Sequence, residues 1–242
     1  MLSKNLPITL ALALGLALAT LEVGAAAPKS VMDYYQEVPT SLFPSETKYE
    51  LKQTKGGWIT HSMDTEAEIS ATVDTKNGFI QFIDEGTGGG DVKTQVALFL
   101  KEDKSPLVAI STSMFDGMAS TGRIALVEPD GGKWKAVTST AIPALRLADF
   151  LDSKCLAALR EDVRGMLEKE GIRFTLPRQG TTVRASVMLT PSMLEGVGDE
   201  ASAKANSPCP TGDVSRELKW DKKAGRFTLD AAKPKGSAAS KK

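Results

Sequence analysis

The sequence has a single histidine, His61, and two cysteines, Cys155 and Cys209. One histidine excludes any mechanism or metal site that draws two imidazoles from the chain, and two cysteines exclude a zinc site of four thiolates. Neither charge sign is in excess, with 30 basic against 30 acidic side chains. No run after the first two dozen residues is long and apolar enough to span a bilayer, which excludes a multispanning membrane protein. The Gly-x-Ser-x-Gly elbow, the Walker Lys-Ser/Thr ending, the EF-hand spacing and Cys-x-x-Cys are all missing. What remains, 41% hydrophobic and 25% charged, is the composition of an ordinary globular chain.

The N-terminus carries the clearest information. Lys4 gives a positive start, Leu6 to Leu21 is almost wholly apolar, and Glu22-Val23 leads into Gly24, Ala25, Ala26 and Ala27. This is the pattern of a secretory signal peptide, and Pro28 favours cutting after Ala25 or Ala26. The core is too short for an anchor, Pro7 and Gly15 interrupt it, and no basic stop-transfer cluster follows. The expectation is a signal over residues 1–26 and a periplasmic or secreted mature chain without a stable membrane anchor. Lys4 and Glu22 cancel. With Lys233, Lys235, Lys241 and Lys242 of the tail set aside, the mature body therefore holds four more acids than bases. Such a body has no electrostatic case for binding nucleic acid.

Residues 27–48 read as a linker with a helical turn at Val31 to Tyr35, whose Met32 and aromatics dock on the main body. Residues 49–232 read as a β-rich domain, with two lobes divided near 143–171 as the alternative, and 233–242 as a disordered basic tail. Glu68 to Asp74 alternates polar and apolar, Asn77-Gly78 supplies a left-handed turn, and Phe79 to Ile83 runs back as a hairpin partner. Gln95 to Leu100, Leu107 to Ser111, Arg123 to Val127 and Lys133 to Val137 continue the series. Ile172 to Leu176, Val183 to Leu189, Glu217 to Trp220 and Arg226 to Leu229 close it. Leu156, Leu159, Val163, Met166 and Leu167 recur at helical spacing between Asp152 or Ser153 and Gly171, which predicts one amphipathic helix of about 18 residues. The fold class is α+β and β-dominated: antiparallel hairpin sheets with that helix packed on them.

Asp84-Glu85-Gly86-Thr87-Gly88-Gly89-Gly90-Asp91 is the segment most like a site. Its carboxylates Asp84, Glu85 and Asp91 have oxygens suited to a ligand or a cation, although a flexible hairpin loop kept soluble by its acids is the plainer reading. His61, in a strand after Trp58, is the one candidate general base, and a surface position in the sheet is the plainer reading. Ser45-Glu46-Thr47-Lys48 spells Ser-x-x-Lys without its partner motifs. Trp58, Trp134 and Trp220 each lie near a glycine turn and suit either a carbohydrate platform or cross-strand packing. Export and the absence of any other thiol predict a Cys155–Cys209 disulfide.

Met32-Asp33-Tyr34-Tyr35 before Pro39, Asn77-Gly78-Phe79-Ile80, and Val96 to Phe99 followed by Leu107 to Ile110 resemble segments of a loose group of small uncharacterised secreted bacterial proteins. Leu176 to Thr182 and Leu218-x-Trp220 with Arg226-Phe227 complete the resemblance, which implies architecture and no activity. The functional expectation is a non-catalytic extracytoplasmic module, without a cofactor or metal, that binds an envelope protein or a small ligand. The alternatives are a secreted hydrolase using His61 or Asp84, Glu85 and Asp91, and an inhibitor of an extracellular enzyme. The inhibitor would present the Met114 to Gly122 loop, with its large apolar Met114, Phe115 and Met118.

Overall fold

The computed structural model describes residues 29–86, 90–117, 119–194, 208–231 and 235–236. The expected signal and its cleavage site, Met118 and most of the basic tail lie outside the described residues. Helix α1 (Val31–Glu37) opens the described chain. The Ser30 hydroxyl oxygen accepts from the Asp33 N–H and the Asp33 carboxylate accepts from the Ser30 N–H, a capping box. The first sheet then builds as an eight-stranded meander in chain order. Its strands are β1 (Lys52–Thr54), β2 (Gly57–His61), β3 (Glu68–Asp74), β4 (Phe79–Asp84), β5 (Asp91–Leu100), β6 (Pro106–Phe115), β7 (Ser120–Asp130) and β8 (Lys133–Ala136). Every neighbouring pair is antiparallel.

Helices α2 (Thr138–Ala141), α3 (Ser153–Ala158) and α4 (Glu161–Glu170) follow. The second sheet consists of β9 (Ile172–Thr175), β10 (Thr182–Leu189), β11 (Gly212–Asp221) and β12 (Arg226–Leu229), with the short β13 (Lys235–Gly236) also on β11. The β-dominated α+β class is what the alternation and turn signals predict.

Both faces of the first sheet are covered at its centre, which is why Leu107 to Ile110 is an unbroken apolar run rather than an alternating one. Phe79, Phe99, Leu107 and Leu126 face one core with Val183, Val187 and Leu218 of the second sheet and Val163 and Leu167 of α4. Ile80, Val96, Val108 and Ile110 face another, closed by Val31, Tyr35, Val38 and Phe43 of the N-terminal segment. Met32 and Tyr35 dock as the sequence predicts. Tyr35 donates its hydroxyl to the Tyr49 carbonyl at 2.6 Å.

The single long helix does not form. The chain breaks at Leu159 and Arg160, which are extended at φ/ψ −64/135 and −57/149. Cys155, Leu159, Val163 and Leu167 recur every fourth residue, and all four are buried. In a continuous helix each such step overshoots a full turn by about 40° and would carry Leu167 well off the face of Cys155. Breaking the helix brings both halves back to the core. Asp152 caps α3 by accepting from the Cys155 N–H, and Gly171 ends α4. Leu147–Asp149 forms only a single turn of 3₁₀ helix.

Cys155 and Cys209 are joined as a disulfide. Further bonds tie the two sheets together. The Trp220 indole donates to the Leu100 carbonyl at 3.1 Å, and Arg178 pairs with Asp74 at 2.8 Å.

Candidate functional site

Asp84 is the last residue of β4 and is buried at 5% exposure. Its carboxylate accepts from the Tyr49 hydroxyl at 2.9 Å, the Gly86 N–H at 3.0 Å and the Met63 N–H at 3.3 Å. Burial pushes its pKa up, but hydrogen bonds from Ser62, Gly86, Tyr49 and Met63 outweigh burial and hold it below the ordinary aspartate value. Burial and the neighbouring Asp84 carboxylate hold the Tyr49 hydroxyl well above the usual tyrosine range. Asp84 is thus a clasp between the Tyr49 segment and β4, with its oxygens already engaged.

Glu85 and Asp91 are exposed, and Asp91 begins β5. Gly90 is required where it stands, because a Cβ there would lie 2.4 Å from the Phe115 carbonyl oxygen. Among the described residues, no three His, Cys, Asp or Glu side chains are grouped so as to hold a metal ion.

His61 ends β2, exposed and opposite Glu68. Among the described residues, no hydrogen bond joins it to a serine or to Asp84. Trp134 packs edge-on against Tyr34 at 6.1 Å, while Trp220 stacks on Phe99 and Phe227 at 5.5 and 5.0 Å. Trp58 and Trp134 belong to the core under α1 and Trp220 to the opposite one, so the three share no platform. Met114 and Phe115 lie in β6 and Ser120 to Gly122 in β7, which shortens the expected loop to the turn between them. Met114 and Phe115 remain 42% and 39% exposed.

A polar cleft that no sequence motif marks lies at the corner where the two sheets meet. The free edge of β9 rests on the face of β5 to β7. Ser111 donates its hydroxyl to the Phe174 carbonyl at 2.6 Å, and the Leu176 N–H donates to Gln95 Oε1 at 3.0 Å. Gly122 allows the approach, since a Cβ there would stand 2.6 Å from the Arg173 Cα.

On β10, Val183, Ala185, Val187 and Leu189 turn to the core, which places Arg184 and Ser186 on the other face. Register sets Ser186 opposite Arg173 on β9 and opposite Ser215 on β11. From the first sheet, Lys93, Gln95 and Ser113 complete a cleft of about 340 Å³. Three cations, Lys93, Arg173 and Arg184, share it with one carboxylate, Asp213, to which Arg173 is paired. Burial first, and then the charge of Arg173, depress the Lys93 pKa below the usual lysine value. Gln95 forms the floor, with its amide spent on Gln81 and Leu176.

The available signal was the alternation Thr182, Arg184, Ser186 and Asp213, Ser215, Glu217, which in a single sequence looks like any solvated strand face.

No family model and no curated protein matches the chain. Among solved structures, a domain of an uncharacterized protein from Porphyromonas gingivalis W83 is similar at 14% identity, with a TM-score of 0.41, over 76% of this chain and 81% of that one.

Proposed function

We propose that the protein is a non-catalytic, exported binding module whose ligand site is the corner cleft between the sheets. The observation that carries this reading is the cleft itself. It is concave and built by side chains of both sheets, and its volume lies at the lower end of the range of about 300–1,000 Å³ typical of small-molecule sites. Its polar groups do not include His61, and among the described residues no hydrogen bond joins Ser113 to Lys93, its cross-strand neighbour in the cleft. Export is supported by the signal-like start of the sequence, by the resemblance to secreted bacterial proteins and by the disulfide, a bond that persists in oxidising compartments.

A thermal-shift screen of the oxidised mature protein against a library of neutral, cationic and anionic metabolites tests the reading. At least one compound is expected to stabilise the wild type and to lose its effect in Ser113→Trp, which fills the cleft. A library without a stabilising compound, or stabilisation that survives Ser113→Trp, contradicts it.

A second reading, inhibition of an extracellular enzyme, is favoured by one observation: Met114, Phe115 and Met63 stay substantially exposed near the end of β6. Replacing Met114 and Phe115 by serine would abolish such inhibition and leave ligand binding in the cleft intact.

A further inference from the structure

We infer that the corner cleft takes a small oxyanion, a carboxylate or phosphate group on a low-molecular-weight ligand, held between Lys93 of β5 and Arg173 of β9. This rests on the reading of the cleft as the ligand site and adds the class of ligand.

The first observation is the charge inventory. Folding gathers Lys93, Arg173 and Arg184 from three strands of two sheets into one concavity, against the single carboxylate of Asp213. Like charges brought together raise the free energy of the folded state; the register offsets this for Arg184, which lies opposite Glu217 on β11, and not for Lys93, which lies opposite Ser113. Asp213 is engaged by the terminal amino group of Arg173, and Lys93 forms no ion pair among the described residues.

The second observation is independent of the first. The Nε of Arg173 is buried and has no hydrogen-bond acceptor among the described residues. Buried donors are almost always satisfied, and an unsatisfied one is destabilising unless a partner arrives. The guanidinium edge presents donors in a fixed plane that a carboxylate or phosphate matches with two oxygens. An oxyanion in the cleft would neutralise the repulsion between Arg173 and Lys93, and a turn of the buried guanidinium edge toward the cleft would let it accept from Nε–H as well. A neutral polyol would satisfy the donor and leave the charge uncompensated. A cation would meet three others.

The flanking groups fit the same occupant. Ser113 and Ser186 place hydroxyl donors on opposite walls. Arg184 sits at the exposed side of the cleft, where it attracts an incoming anion more than it fixes a bound one. The body as a whole is acidic, so the cleft is a local reversal of sign, and a compact anion is favoured there over an extended polyanion.

Succinate and inorganic phosphate, titrated separately into the ¹⁵N-labelled oxidised protein at low ionic strength, are suitable probes. The readout is the Arg173 Nε–Hε cross-peak. At least one probe is expected to shift it saturably, and which one does so distinguishes a carboxylate from a phosphate ligand. Lys93→Met is expected to weaken that binding by about tenfold or more, and Lys93→Arg to stay within about threefold of wild type. Arg184→Gln, at an exposed position, gives a second reading of about threefold weakening if Lys93→Met fails to fold.

An Arg173 Nε–Hε signal that neither probe moves overturns the inference, and so does undiminished affinity in Lys93→Met or, if that variant does not fold, in Arg184→Gln. If a neutral compound from the thermal-shift screen shifts the cleft amides while both probes fail, the oxyanion is wrong and the binding module stands. If no compound of any class stabilises the protein and both probes fail, the cleft reading falls as well.

Discussion

Asp84 and Tyr49 show how a residue that looks functional in sequence is consumed by the fold. Asp84 carries the signature of a ligand residue, an acid at the edge of a glycine-rich loop, yet its oxygens are spent on Tyr49, Ser62, Met63 and Gly86. Because its folded pKa lies below the unfolded value of about 3.9, the stability it contributes is fully present above that value. That contribution is lost as pH falls through the folded pKa. Asp84→Asn, which mimics the protonated acid, is therefore expected to cost about 1.5–3 kcal/mol near pH 7. The difference from wild type should shrink steadily below about pH 4. Urea unfolding at a series of pH values measures it, and a pH-independent difference would mean that Asp84 contributes by packing alone. Tyr49→Phe removes one of the donors and is expected to cost about 1–2 kcal/mol in the same assay.

At the scale of elements, the hairpins were legible and the helix was not. Glu68 to Asp74 and Arg226 to Leu229 match β3 and β12 end to end, because alternation and turn glycines are local signals. The break at Leu159 and Arg160 has no such signal: neither residue is proline or glycine, and only the distant core decides it. Glu161→Pro tests the break. Glu161 is the first residue of α4 and follows an extended Arg160, so proline there should cost less than about 1 kcal/mol. In an unbroken helix the same change would cost about 3 kcal/mol or more, and thermal denaturation separates the two. Gly122→Ala tests the contact of β7 with β9. A methyl group there meets the backbone of Arg173 and Ile172, at 2.6 Å from the Arg173 Cα and 2.8 Å from the Ile172 carbonyl oxygen. A loss of about 1–3 kcal/mol is expected, together with weaker ligand binding, since β9 carries Arg173. A variant as stable as wild type would show that the two strands do not approach so closely.

At the scale of the whole molecule, the disulfide and the cleft differ in how far the sequence reveals them. Cys155 and Cys209 pair as the only two thiols, a conclusion that needs no geometry. They are 54 positions apart, and closing a loop of that size in the unfolded chain is worth about 4 kcal/mol, so the Cys155→Ala/Cys209→Ala protein should unfold earlier in urea by that amount. The cleft had no comparable signal. Lys93, Arg173, Arg184 and Asp213 span 120 positions, and only the packing of one sheet edge on the other sheet's face brings them together. A map of backbone amide shifts on adding the strongest stabilising compound tests that assembly. Perturbations are expected to gather at Lys93, Ser113, Arg173, Ser186 and Ser215, the walls of one corner drawn from both sheets. Perturbations centred instead on His61, on Glu85 and Asp91, or on Met63 and Met114 would contradict it.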